Sequence, residues 1–409
     1  MKVKLKKVIL IICILSIILI SFSGCYDARG IEDFAYVSAL GIDISENEML
    51  LLTFQISIPG TNSESGSSQS SKTENTTVQC RSIDSGISLV NSYISKQINL
   101  SHCKALVFSE EIASHGLNRY IDTLSNNVEI RPDCNVIISR CTAKDFIENA
   151  TPSIETLTAR YYEVAVKSSE YTGYTTSTEF AVFVNDIKNS YIQASAILGG
   201  INTGENKLND TPYVGIDANY KANETPINDI NSIETFGTAV FYDDILVGEL
   251  NGLETIFFLL VSDKIENCTV SVPSPFEANA EIDLLIRKSK NPKIKVDIIN
   301  GSPYISVDLF LEAHGLTLNK SIDYTSIKDI ELLEHSSEQY LKLNITNFLY
   351  KTSKDFNSDI TGFGRYAMSK YLTMDEWNNS NWSKNYKNSF FNVNVNVSIL
   401  SGSEFDKSP

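Results

Sequence analysis

Phe391-Asn392-Val393-Asn394-Val395-Asn396-Val397-Ser398-Ile399 is the most legible stretch of this chain. Apolar side chains fall on the odd positions and short polar ones on the even positions. A strand turns successive side chains to opposite faces, so this is a strand with one face in a core and one in water. A second long element precedes it. Ile330, Leu333, Leu341, Ile345 and Phe348 recur at helical spacing, and Ser326 with Asp329 is placed like a capping box, which predicts a helix over about 326–354.

Further from that pair, strands and helices follow each other without regular alternation. Residues 33–43 and 48–58 read as a hairpin broken at 45–47. Residues 59–77 are Ser, Thr, Gly and Asn with no large apolar side chain; they predict a mobile loop, with 78–81 resuming the sheet. Ile83, Ile87, Val90, Ile94 and Ile98 predict a helix behind a Ser82 or Asp84 cap. Residues 105–108 and 135–139 read as buried strands, Ser109 caps a short helix ended by Gly116, and Leu117, Tyr120, Ile121 and Leu124 mark another. Ile154, Leu157, Tyr161 and Val164 give an amphipathic helix, as do Phe180, Phe183, Val184 and Ile187. Residues 235–242 and 245–250 form a hairpin around Asp243-Asp244. The expected class is α+β and multi-domain, with mixed sheets flanked by helices, rather than a doubly wound fold. An N-terminal α+β domain spans 25–198, an Asn-, Asp- and Gly-rich connection 199–234, and a C-terminal α+β region 235–405.

The first 24 residues stand apart. Lys2, Lys4, Lys6 and Lys7 precede an apolar run from 8 to 22, and Ser23-Gly24-Cys25 follows. The run has the length of a secretory signal core and falls short of the roughly 20 residues that span a bilayer. Small residues before a cysteine are what bacterial signal peptidases read before lipidating it, so Cys25 is expected to become an acylated first residue of the mature protein. The whole chain has 409 residues, 42% hydrophobic and 21% charged, enough to bury a core. It holds 34 Lys and Arg against 50 Asp and Glu, a net charge of −16, and 30 against 50, or −20, without the signal. Such a body has no electrostatic footprint for nucleic acid and is repelled by anionic lipid unless something else holds it there.

Motifs for chemistry are scarce. No G-x-S-x-G, H-E-x-x-H or P-loop pattern occurs, and only four histidines are present. Gly362-Phe363-Gly364-Arg365-Tyr366-Ala367 fits a loose dinucleotide pattern, but a long helix precedes it where that fingerprint needs a strand; Gly362 and Gly364 read as residues that end the helix and turn the chain. Cys80, Cys103, Cys134, Cys141 and Cys268 are odd in number with no C-x-x-C spacing, so they read as small buried hydrophobes rather than a disulfide framework or, with His102 and His115, a metal cluster. His102, beside an apolar strand, reads as a hydrogen-bonded structural side chain rather than a base. Glu129 and Arg131 read as members of structural ion pairs, and Glu254 sits at the positive end of a helix over 253–261. Trp377 and Trp382 are either core edges or an interface anchor. No cofactor is expected.

Four stretches together resemble the Ger(x)C lipoproteins, the C subunits of spore nutrient germinant receptors. They are Gly24-Cys25-Tyr26-Asp27 with Arg29 and Ile31-Glu32 leading to Leu40-Gly41-Ile42-Asp43; His102, the strand 105–108, Glu110-Glu111, Gly116 and Glu129-Ile130-Arg131; Gly237-Thr238-Ala239 through Gly248 to Glu254-Thr255; and Asp359-Ile360-Thr361-Gly362-Phe363-Gly364 with Trp377, Trp382 and the final strand. The sequence departs from the family at Tyr26, where Trp is usual, around 126–128, and in its longer Ser-rich stretch. The resemblance implies three α+β domains, no enzymatic activity, a lipid anchor on the outer face of the spore inner membrane, and two integral-membrane receptor subunits as partners. A solute-binding lipoprotein of a transporter is the alternative reading.

Overall fold

The computed structural model describes residues 2–21, 30–45, 47–58, 72–151, 158–203, 218–227, 232–315 and 326–400. In chain order these form α1 (Lys2–Ser21), β1 (Phe34–Ile44), β2 (Leu50–Ile58), β3 (Lys72–Cys80), α2 (Ile83–Tyr93), β4 (Gln97–Asn99), β5 (Ala105–Ser109), α3 (Glu110–Ser114), α4 (Asn118–Asn126) and β6 (Asn135–Ser139). Next come α5 (Ala143–Glu148), α6 (Thr158–Lys167), α7 (Phe180–Lys188), β7 (Ser195–Asn202), β8 (Ser232–Tyr242), β9 (Ile245–Leu250), α8 (Gly252–Val261), β10 (Asn267–Pro273), β11 (Glu281–Ile299) and β12 (Ser302–Gly315). The last are α9 (Ile327–Tyr350), α10 (Gly364–Met368), α11 (Met374–Asn379), α12 (Trp382–Asn385) and β13 (Phe390–Ile399). No described helix is long and apolar enough to cross a membrane.

A nine-stranded sheet runs in the order β3-β2-β1-β5-β6-β7-β8-β9, with β4 beside the start of β1. Its centre, β1-β5-β6-β7, is parallel, and both flanks are antiparallel. Every residue of β5 and β6 is buried. That burial explains the apolar runs 105–108 and 136–138 within them, because a parallel centre is covered on both faces. Ile83, Val90, Ile112, Leu124 and Phe183 bring α2, α3, α4 and α7 onto one face, and Phe146, Ile147, Tyr162 and Val166 bring α5 and α6 onto the other.

The second sheet has the order β10-β11-β12-β13, antiparallel except for the last pair. In β13 Val393, Val395, Val397 and Ile399 are buried and Asn392, Asn394, Asn396 and Ser398 exposed, as the alternation predicts. The stripe Leu333, Leu341, Ile345 and Phe348 of α9 packs into the same core, and Ser326 caps that helix by accepting from the Asp329 N–H. Between the two sheets lies α8, buried at every residue except Glu254. A helix apolar on all sides has no wet face to offer. It shares one core with Val240 and Leu250 of the first sheet and Val270, Ile286 and Leu309 of the second, and so pins them together. The chain is thus α+β with mixed sheets flanked by helices.

Four expectations need correction. Residues 72–77, read as loop, belong to β3 and pair in register from Ile58↔Lys72 to Thr53↔Thr77. Thr73, Thr76 and Thr77 suit an edge strand, and the backbone ladder supplies what the polar side chains do not. Residues 59–71 lie outside the described residues. The helix read through Ile98 ends at Tyr93, and Ile98 is in β4. In α6 the buried side chains are Thr158, Tyr162 and Val166, while Val164 is exposed; Ile154 and Leu157, which set the expected phase, lie outside the described residues. Residues 199–202, assigned to the connection, complete β7, and β8 pairs beside it with Ser195↔Val240, so β8 and β9 extend the first sheet.

Candidate functional site: a buried carboxylate where the two sheets meet

Beyond α9 the helix runs on through a wide turn, Lys351–Asp355, and the chain reverses at Asn357, whose φ is 50°. Ser358 Oγ donates to the Phe241 carbonyl at 2.5 Å, tying this turn to β8. Asp359, 1% exposed, follows. Its carboxylate accepts from Phe363 N at 3.0 Å, Gly364 N at 2.8 Å, Thr361 Oγ1 at 3.0 Å and Trp382 Nε1 at 2.9 Å. Burial pushes its pKa above the ordinary carboxylate value, and the four donors pull it back. Four donors converge on the two carboxylate oxygens, and the contacts tie the turn and the Trp382 indole to one side chain.

The glycines are needed for this geometry. Gly362 has φ of +75°, and a Cβ on Gly364 would collide with the Tyr191 carbonyl and the Trp382 indole. Trp377 donates to Ser190 Oγ at 2.8 Å and stacks on Trp382 with centroids 6.0 Å apart. Both indoles are buried, 2% and 4% exposed, which decides for core packing over an exposed anchor. Gln193 N donates to the Asp359 carbonyl at 3.0 Å, while Gln193 Oε1 accepts from Asp243 N at 2.5 Å in the β8–β9 turn. The knot therefore joins the first sheet to the C-terminal segment. A groove of about 230 Å³ opens beside it, lined by Tyr242, Asp243, Trp377, Ser383 and Lys384.

The other expected residues lie elsewhere. Glu254 completes a reciprocal cap with Asn251 and pairs with Lys351 Nζ at 2.7 Å, on the wall of a 420 Å³ groove between α8 and α9. Arg131 forms an ion pair with Asp133 at 2.9 Å, whereas Glu129 accepts from the Leu100 backbone N at 2.9 Å. His102 is exposed and stacks on Tyr36 at 4.4 Å. Cys80, Cys103, Cys134 and Cys268 are buried; Cys103 and Cys134 bring their sulfurs to 3.9 Å, and burial raises the Cys134 thiol pKa well above its ordinary value. Among the described residues no group of three or more His, Cys, Asp or Glu is arranged to hold a metal. Cys25 lies outside the described residues. Asp359 was within the quoted motif without being singled out; an acid two residues before Thr-Gly, where backbone N–H groups turn back on a carboxylate, was the available signal. Gln193 and Lys351 carry no sequence signal at all.

The fold and the knot define an α+β protein of two mixed sheets, interlocked by one apolar helix and a buried carboxylate turn. The chain belongs to the Ger(x)C family of spore germination proteins: residues 27–202 match the Spore germination protein N-terminal domain, and residues 236–402 match the Spore germination B3/GerAC like, C-terminal domain. It is 20% identical to Spore germination protein KC of Bacillus subtilis (strain 168), over 93% of this chain and 92% of that one. It is also 20% identical to Spore germination protein GerQC of Bacillus cereus, over 94% and 96%. The crystal structure of the GerBC protein shares the fold, with a TM-score of 0.52 at 16% identity, covering 88% of this chain and 96% of that one.

Proposed function

We propose that this chain is a lipid-anchored, non-enzymatic subunit of a spore nutrient germinant receptor, held on the outer face of the spore inner membrane and working with two integral-membrane subunits. The observation that carries the reading is the match to both family domains, in order, on one chain. The lysine-led apolar run ending in Ser23-Gly24-Cys25 supports the anchor. Retention must come from acyl chains, because a body of charge −20 is repelled by an anionic surface. Two or more chains, at about 0.8 kcal/mol per buried CH₂, hold a protein stably where one does not. Tethering also raises the effective concentration at the partners, so weak contacts suffice for assembly.

The test is Cys25→Ala in spores. Lipid labelling, receptor assembly and nutrient-triggered germination should be lost together, while germination by routes that bypass the receptor continues. The mature body behind a cleavable non-lipoprotein signal should wash off membranes. If it stays at wild-type level in high salt, protein contacts are the anchor and the reading fails.

A further inference from the structure

One end of the first sheet gathers an exposed apolar face at the point where the tether arrives. The register places Phe34 beside Gln97, Val37 beside Ile56 and Ile58 beside Lys72, so the start of β1, the end of β2, the start of β3 and the start of β4 meet at that end, where α2 also finishes. Ile31 is 77% exposed, Tyr93 82%, Leu89 49% and Ile58 41%. Leu89 and Tyr93 lie one turn apart on the same side of α2. Ile58 also lines a cavity of about 190 Å³ at this end, with Phe34, Ile56, Ile94, Glu74 and Lys96. Large apolar side chains exposed singly are ordinary, but four on the elements that meet at one end of a sheet call for a covering surface.

The tether decides what covers it. Only residues 26–29 separate Cys25 from Gly30, where the described body begins. Five extended steps reach at most about 18 Å. If Cys25 carries the acyl chains, this end of the sheet cannot leave the bilayer surface. We propose that the face around Ile31, Ile58, Leu89 and Tyr93 rests in the headgroup region of the membrane and fixes the orientation of the whole body. The inference rests on the anchoring proposed above. Tyrosine suits that zone, with an apolar ring and a hydroxyl that stays wet, and Lys96 can lay its stem on the apolar surface with its ammonium outside. Glu32, Asp33 and Glu74 outnumber Lys96 at this end, so the contact is apolar and draws nothing from anionic lipid.

Full-length acylated protein in phosphatidylcholine vesicles tests this, with single cysteines introduced as Tyr93→Cys, Ile58→Cys and, as control, Leu372→Cys, which is 94% exposed in the parent. A membrane-impermeant maleimide should react at least tenfold more slowly at positions 93 and 58 in vesicles than in detergent, and within twofold at 372, with protection unchanged in 1 M salt. Equal rates at all three overturn the inference. Protection that appears only in spore membranes assigns the face to a protein partner and also overturns it. The mass of the N-terminal peptide separates the two ideas: an unmodified Cys25 defeats the anchoring and this face together, whereas an acylated Cys25 with Tyr93→Cys unprotected defeats this face alone.

Discussion

Trp382 Nε1 donates to Asp359 Oδ2 at 2.9 Å inside the core, across 23 residues of chain. The same carboxylate holds two backbone N–H groups of the glycine turn, so the indole and the turn share one acceptor. Trp382→Phe removes one donor and keeps most of the packing; Asp359→Asn places an amide N–H against one backbone donor and one side-chain donor, whichever way the amide turns. Losing one hydrogen bond to a buried charge costs about 1.5–3 kcal/mol, and Asp359→Asn should cost about 3 kcal/mol or more. Guanidinium unfolding of both single variants and the double variant should give a coupling of about 1–3 kcal/mol. Strict additivity would mean that the two side chains do not share a network.

Asp43 joins β1 to the other side of the first sheet. Its carboxylate accepts from Ala143 N at 2.7 Å and Lys144 N at 3.0 Å, at the start of α5. Burial raises its pKa above the ordinary value of 3.8, against the pull of those two donors. A carboxyl that binds its proton more tightly when folded contributes most below pH 3.8, and that contribution falls as pH rises through the native value. The gap in unfolding free energy between wild type and Asp43→Asn should therefore narrow as pH climbs from below 3.8. A gap that widens would show that the donors outweigh burial and that the native pKa is depressed.

On β13 the two faces should respond oppositely. Val395 is 9% exposed, and an unpaired carboxylate there should cost several kcal/mol. Asn392→Asp, on the wet face, should change stability by no more than about 0.5 kcal/mol. Asn394 is different from its neighbours: its Nδ2 donates to Asp308 at 2.8 Å, so Asn394→Asp sets two carboxylates together and should fall between the other two variants. Chemical denaturation of the three orders them, and equal stability of Val395→Asp and Asn392→Asp would mean the strand is exposed on both faces.

Features that depend on near neighbours in sequence were legible: the period of β13, the Ser326 cap and stripe of α9, the unbroken apolar runs of β5 and β6. Features set by distant pairing were not. Nothing local in Ile245–Leu250 says that β9 closes the first sheet rather than opening the second, because register is a property of two strands. The polar β3 was hidden for a related reason, since its place is held by backbone bonds to β2. At the knot, the glycines and both tryptophans were found by their resemblance to the family, whereas Gln193, some 166 residues before Asp359 in sequence, joins only through the fold.

The Ser-rich segment gives a boundary that can be measured. Replacing residues 62–70 by a short Gly-Ser linker should leave the denaturant midpoint nearly unchanged, since halving a loop alters closure entropy by only about 0.6 kcal/mol. Extending the replacement through Asn75 removes residues paired with Gln55 to Ile58 and should cost about 2 kcal/mol or more, at roughly 1 kcal/mol per ladder bond. Equal tolerance of both would mean that the first half of β3 contributes nothing.

The outer edge of β13 is guarded by side chains of α9. Glu338 Oε1 accepts from Val397 N at 3.1 Å, and Glu334 Oε1 from Ile399 N at 2.8 Å, so two edge donors that would otherwise offer themselves to another strand are occupied. The acids lie four residues apart, one helical turn, which matches the spacing of alternate N–H groups along the strand closely enough for both to bond. Glu334→Ala with Glu338→Ala should lower stability by about 2–4 kcal/mol, as two charge-assisted bonds are lost. It should also raise self-association, because the freed edge carries an apolar row and a ladder of asparagines. Sedimentation velocity over a concentration series reads this directly. A double variant that is destabilised yet stays monomeric would show that the helix backbone alone, without its carboxylates, shields the edge.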